Sequence, residues 1–319
     1  MDWTDRHCRV FHRQLTRHAL LYTEMVTAPA VLHGDRDRLL AMDAGEAPVA
    51  LQLGGSDPGA LAEAAAIGAG YGYGEINLNV GCPSDRVQEG RFGACLMAEP
   101  ELVAACVSAM QRQVRIPVTV KCRIGIDEQD QERDLQRFID TVADAGCRRF
   151  IVHARKAWLK GLSPKENREV PPLDYARVYR LKVSRPDLTI VINGGIEDLD
   201  QAATHLEHVD GVMLGRAAYQ TPYLLAEVDR RFFDSTAAVP SRLDVIEAII
   251  PHIERHLARG GRLNNVVRHM LGLYHGEPRA RAFRRHLSEN APRESASLAT
   301  LREAVALVEP SFRPLAAAE

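Results

Sequence analysis

The sequence predicts an α/β protein: a (β/α)8 TIM-type barrel followed by a small helical domain. Three observations predict it. Strand-like runs alternate with helical segments, which implies a parallel sheet. Seven such runs precede residue 216, one short of the eight that close a barrel. Polar residues stand at the C-terminal end of nearly every run: Gln52, Asn79 and Cys82, Lys121, His153, Asn193 and Arg216. Active sites of barrels open at that face. An open doubly wound sheet is the competing architecture, and the polar strand ends favour the barrel.

The expected strands are 20–27, 48–53, 75–80, 117–124, 149–153, 189–193 and 211–214. Between them 57–69, 99–114, 130–145 and 198–208 look helical, several with Asp, Ser or Pro near the start. The strands stop near residue 216. After a linker of Ser, Thr, Ala and Pro around 234–240, the segments 243–257, 263–275, 280–287 and 297–308 look helical. The expected division is a catalytic barrel over 1–236 and a helical domain over 237–319.

Composition narrows the function classes. The chain has 319 residues, 46% of them hydrophobic, and a net charge of -2. That charge argues against wholesale electrostatic binding of nucleic acid, but not against a local basic patch. No apolar run approaches the ~20 residues that span a bilayer, and the polar N-terminus lacks a signal-peptide core. Six cysteines, at 8, 82, 95, 106, 122 and 147, show no paired spacing. They suggest free cytosolic thiols, and without a Cys-x-x-Cys no zinc site is expected.

The stretch 75–97 organises the rest. Ile76, Leu78 and Val80 alternate with Asn77 and Asn79, and the strand then breaks at Gly81-Cys82-Pro83. Core amides need partners, and the turn lifts the thiol out of the sheet edge. Both asparagines are therefore expected to face a ligand on which Cys82 works. Cys82 itself has three readings. One is a structural buried thiol. One is a nucleophile, which needs a histidine base that its sequence neighbours lack. The third is a general acid, since a thiol with a pKa of ~8.5 is protonated at neutral pH yet able to release its proton. The other five cysteines have no such setting and read as structural.

Asn193-Gly194-Gly195 and Gly215-Arg216 follow the last two strands. Barrels hold phosphate at such turns, on backbone N–H groups and a helix N-terminus, and Arg216 adds a charge-assisted bond. The bland alternative is two tight turns. Lys121 fits either an anion, such as a reduced flavin or a phosphate, or an ion pair with a neighbouring carboxylate. His153 fits a core residue as well as a site residue. Gln52 either holds ring carbonyls or caps a turn. The basic loop 155–171, with Trp158, exceeds the usual ~2–6 residues and is expected over the catalytic face. Arg279, Arg281, Arg284 and Arg285 crowd one helix start, with Arg281 and Arg284 on one face. Either basic cluster alone reads as solvated surface. Together they suggest a charged polymer lying between the loop and the helical domain.

Asn77-Leu-Asn-Val-Gly-Cys-Pro-Ser84, Gly93-Ala-Cys-Leu-Met97, Val152-His-Ala-Arg-Lys-Ala-Trp158 and Gly161-Leu-Ser-Pro-Lys-Glu-Asn-Arg168 resemble the tRNA-dihydrouridine synthases, A subfamily. Asn193-Gly-Gly-Ile196 and Gly211-Val-Met-Leu-Gly-Arg216 extend the resemblance over nearly the whole chain. Its most specific part is 161–168, a loop that no fold demands. The resemblance implies an FMN-bound barrel, a helical tRNA-binding domain, and reduction of uridines 20 and 20a in the tRNA D-loop, with NADPH reducing the flavin. It implies FMN contacts by Gln52, Lys121, His153, Asn193, Gly194, Gly195, Gly215 and Arg216, and Cys82 as proton donor. It implies tRNA contacts by Asn79, Lys165, Arg168, Arg281 and Arg284.

It also implies a strand ending Ala-Pro-Met directly ahead of Met1-Asp-Trp-Thr-Asp5. A barrel lacking that first strand is therefore expected, with an unpaired edge and a gap in the flavin wall. A cytoplasmic monomer is expected, with no metal and no membrane segment. Two other readings compete. One is a flavin barrel acting on a free small molecule, which needs no Arg281/Arg284 face. The other is a non-catalytic tRNA-binding protein, suggested by the missing strand.

Overall fold

The computed structural model describes residues 3–309. Seven strands form one sheet: β1 Leu21–Thr27, β2 Val49–Gly54, β3 Glu75–Val80, β4 Val118–Arg123, β5 Arg149–His153, β6 Thr189–Asn193 and β7 Gly211–Met213. They lie in sequence order and every pairing is parallel. Each expected strand is found to within one residue at either end. Helices connect the strands, as parallel neighbours require. Among the described residues no pairing joins β7 to β1, so the barrel wall has two edges.

The helices start where the sequence signals them. Asp57, Asp174 and Asp198 each accept a backbone N–H in the first turn of Pro58–Gly70, Tyr175–Ser184 and Leu199–Leu206. Helix Arg133–Asp144 buries Leu135, Phe138, Ile139 and Val142, the spacing of one helical face. Gly68 lets Pro58–Gly70 lie close on the sheet, since a side chain there would strike Leu51 and Ile76.

The opposite face of the sheet is polar and curls inward. Tyr22 donates to Glu75 at 2.8 Å, skipping β2, and Arg149 donates to Glu75 at 2.6 Å, skipping β4. Lys121 donates to Asn193 at 3.0 Å, skipping β5. In a flat sheet, strands two apart lie roughly 9.5 Å from one another, so these bonds follow the curl. Tyr22, Glu75 and Arg149 come from alternate strands, as the layers of a barrel interior do.

The chain clusters into two compact units. One spans Leu20–Gly215; the other joins residues 3–19 to residues 216–309. The division lies ahead of residue 236, where the linker composition placed it. β7 is the last strand, and Arg216–Gln220 and Val228–Phe232 pack on the short helix Pro222–Glu227. The N-terminal segment joins the second unit through ion pairs and hydrogen bonds between residues distant in sequence. Asp5, the cap of helix Arg6–Arg13, bonds Arg268 at 2.6 Å and His269 at 3.0 Å. Asp229 accepts from Thr16 at 2.5 Å and from the Arg17 N–H at 2.6 Å. Helix Arg242–Ala258 buries Val245, Ile246, Ile249 and Ile253 and packs on Arg6–Arg13, Leu263–Val267 and Leu298–Ala306. The expected helix 263–275 ends at Val267, and turns carry the chain to His275.

Candidate active site

β3 delivers the thiol. After Val80 the chain turns, and Asn79 builds the turn: its Oδ1 accepts the N–H groups of Gly81 and Cys82, both at 3.0 Å. Gly93 closes the turn from the other side. Its φ of +75° is left-handed, and a Cβ there would sit 2.6 Å from the Cys82 carbonyl oxygen. The Ala94 N–H donates to that same oxygen at 2.9 Å.

Cys82 is half-buried, with Ser84 Oγ 3.5 Å from its sulfur. Among the described residues no histidine bonds the thiol, so the nucleophile reading lacks its base. Cys106, Cys122 and Cys147 are buried, and burial pushes each thiol up to about 12. Cys95 gives its S–H to the Phe92 carbonyl at 3.1 Å.

Asn77 does not face a ligand, contrary to the expectation for both asparagines. It is wholly buried: its Oδ1 accepts from Gln52 Nε2 at 2.9 Å and its Nδ2 donates to Thr119 at 2.8 Å. A buried amide satisfies itself within the core. Asn79 Nδ2 donates to Gln52 Oε1 at 2.8 Å. Gln52 therefore caps no turn; it bridges the two asparagines.

The next strands supply positive charge. Asn79 lies opposite Lys121 in the register, and His153 lies between Arg123 and Asn193. Lys121 bonds a neutral amide, Asn193, whose Nδ2 holds the Met213 carbonyl at 2.7 Å. Among the described residues no carboxylate pairs with Lys121, which removes the ion-pair alternative. Burial, then the charge of Arg123, lowers the Lys121 pKa to about 8. Burial also lowers Arg123 to about 10. His153 is held neutral: burial first, then Arg123, Lys121, Arg155 and Arg168, push it well below the usual imidazole range. Its Nδ1 is buried and has no hydrogen-bond partner among the described residues.

Gly194 and Gly195 take φ of +114° and +70°, and a Cβ on Gly194 would lie 3.2 Å from His153 Nε2. Gly215 fronts open space, with no atom within 4 Å of a would-be Cβ. A buried imidazole nitrogen and a half-buried lysine, neither with a partner carboxylate among the described residues, and two glycine turns fit a polar, anionic group.

The long loop is tied to the same turn. Asn167, wholly buried, accepts the Trp158 N–H at 2.8 Å and donates to the carbonyls of Trp158 and Leu162 at 2.9 and 3.1 Å. Arg123 donates to the Gly81 carbonyl at 3.0 Å, to that of Lys156 at 3.0 Å and to that of Asn167 at 2.8 Å. One buried guanidinium thus joins the Cys82 turn to the loop. Lys165 and Arg168 stand exposed at the short helix Glu166–Arg168.

In the second unit, Arg281 and Arg284 are exposed on helix Ala280–Asn290. With His275 and Arg279 they line a surface pocket of about 480 Å³. Arg216, next after Gly215 in the chain, opens the short helix Arg216–Gln220 of that unit.

The family profile described as dihydrouridine synthase (Dus) matches residues 1–309. The chain belongs to the dihydrouridine synthase family. It is 62% identical to the tRNA-dihydrouridine(20/20a) synthase of Shewanella oneidensis, over 97% of this chain and 92% of that protein. The protein of the same name from Escherichia coli (strain K12) is 59% identical, over 97% of this chain and 89% of that one. A solved complex of 2-naphthoyl-CoA reductase with 2-naphthoyl-CoA shares the fold, with a TM-score of 0.54 and 11% identity. That likeness covers 72% of this chain and 47% of the reductase.

Glu75, Thr119, Arg123 and Asn167 belong to this site although no motif singles them out. A signal for the first three was available. Glu75, Asn77 and Asn79 alternate along β3, and Thr119, Lys121 and Arg123 along β4, so both strands put their polar set on one face. Asn167 had no such signal, because its partners lie within an irregular loop.

Proposed function

We propose that the chain reduces uridines 20 and 20a in the D-loop of tRNA to 5,6-dihydrouridine. The observation that carries this reading is the half-buried Cys82 thiol, in a turn clamped by Asn79 and by Arg123 on the Gly81 carbonyl. Relatives 59–62% identical are named for that activity.

FMN fits the first unit's donor set. Lys121 and the Gly194–Gly195 turn suit anionic parts, the orphaned His153 Nδ1 suits a polar atom, and Gln52, Asn193 and Gly215 complete the set. Arg216 is assigned to the same group by resemblance. FMN, when bound, supplies the hydride that reaches C6 of the pyrimidine, replenished from NADPH.

The uracil C5–C6 double bond is conjugated to the C4 carbonyl, so reduction at C6 leaves C5 needing a proton. In this reading Cys82 Sγ, which no histidine bonds among the described residues, is the donor of that proton. The target base is stacked within tRNA and must be extruded to reach a recessed thiol. Lys165 and Arg168 on one unit, and Arg281 and Arg284 on the other, are exposed cations suited to RNA phosphates. Asn79 is assigned to the tRNA side by resemblance. The cytoplasm is the compartment that goes with this substrate.

The test is Cys82→Ala. The variant should keep flavin absorbance and lose at least about a hundredfold in dihydrouridine formation on unmodified tRNA. A wild-type rate in the variant, or a colourless wild-type protein, would refute the reading. Reduction of free uridine as fast as tRNA would select a small-molecule substrate instead.

A further inference from the structure

We infer that Glu75, at the start of β3, is a positioning residue for the site at the other end of that strand. Its carboxylate fixes the direction of a buried hydrogen-bond chain that orients Gln52 and holds the Cys82 turn.

The chain is continuous. Thr119 donates to Glu75 at 2.7 Å, Asn77 to Thr119 at 2.8 Å, Gln52 to Asn77 at 2.9 Å and Asn79 to Gln52 at 2.8 Å. Asn79 then accepts the Gly81 and Cys82 N–H groups. Both ends are one-directional. A carboxylate only accepts, and a backbone N–H only donates. Because Glu75 accepts, Thr119 must donate downward and can take only an N–H from Asn77. Asn77 must then turn its oxygen to Gln52, Gln52 its oxygen to Asn79, and Asn79 its oxygen to the turn.

A reversed chain would set the Asn79 NH2 against two N–H donors. Glu75 is itself firmly anchored, being 2% exposed and taking further bonds from Tyr22 and Arg149. Burial, and then Glu75, raise the Tyr22 pKa, which keeps that phenol a donor. The consequence for the site is specific. One Gln52 N–H is fixed on Asn77, and the other is left in a set direction for an acceptor. That acceptor is the flavin in the function proposed above, on which this part of the inference rests.

Thr119→Val cuts the chain at nearly constant shape, and Thr119→Ser restores the hydroxyl. Thr119→Val should weaken FMN binding about tenfold, the effect of one lost oriented bond. It should also change the rate at which iodoacetamide alkylates Cys82 by about threefold or more, read on the Cys82 peptide by mass spectrometry. Thr119→Ser should return both to within about twofold of wild type. If Thr119→Val fails to fold, Glu75→Gln replaces it, since a side-chain amide admits the reversed direction; the same two readouts should shift the same way. Wild-type alkylation in Thr119→Val or Glu75→Gln, or no rescue by serine, would overturn the inference. A wild-type protein that binds no FMN would sink the proposed function alone, because Cys82 alkylation still decides the chain.

Discussion

Lys121→Met is the sharpest test of the cationic site. In an unfolded chain the lysine holds its proton to an ordinary value of 10.5; in the fold it does so only to about 8, chiefly because it is buried. That gap corresponds to a folding penalty on the order of 3 kcal/mol for the charged side chain. The lost bond to Asn193 takes back about 1 kcal/mol. Ligand-free Lys121→Met should therefore be more stable than wild type by about 2 kcal/mol at pH 7.

The sign follows from the depressed pKa. The penalty is complete below pH 8 and fades as the folded lysine deprotonates, so the variant's advantage should nearly vanish by about pH 10. Urea unfolding of the ligand-free proteins at both pH values measures it. In the function proposed above, saturating FMN should reverse the order, because wild type alone keeps a cation for the anion. A variant less stable than wild type at pH 7, by the same margin at high pH, would show that Lys121 is not held against its desolvation. The argument for an anion site would then fall.

Gly93→Ala forces a left-handed backbone onto alanine and presses its Cβ on the Cys82 carbonyl. It should cost about 2 kcal/mol and raise Cys82 alkylation, seen as a lower Tm and a faster thiol reaction. Arg123→Lys keeps the charge but cannot hold three carbonyls. Limited proteolysis should open loop 155–171, and tRNA modification should fall about tenfold or more while flavin is retained; an intact loop would refute the tie. Burial opposes the charge of Asp5, yet His269, the Cys8 N–H and Arg268 outweigh it and hold the carboxyl below its usual range. Its contribution should be constant near neutral pH and disappear as pH falls below the unfolded value near 3.8. The stability gap between wild type and Asp5→Asn should close there and nowhere higher.

Much of the site was legible as sequence because its residues obey local rules. The period-2 polar pattern of β3, the Gly81-Cys82-Pro83 break and the Asn193-Gly194-Gly195 turn each declare themselves within a few residues. Strand order and the cationic strand ends follow from the same alternation. Arg123 was hidden because its three acceptors are backbone carbonyls, which carry no residue type to recognise. Asn77 was misread because an amide beside a reactive turn and an amide bonded inside a barrel are identical on paper.

The sequence by itself determined the alternation that makes a parallel barrel wall, the strand limits, and which side chains stand at its C-terminal edge. Tertiary structure alone decided which polar groups remain unsatisfied there. Asn77, Gln52 and Thr119 consume one another's hydrogen bonds, while His153 Nδ1 finds none. It also decided that Asp5 and Thr16 join the unit after Arg216, through Arg268, His269 and Asp229. The physical reason is the same in both cases. Local preference acts over a turn of helix or a few residues of strand. Satisfaction of a buried polar atom depends on whatever the fold brings within about 3 Å, from any distance along the chain.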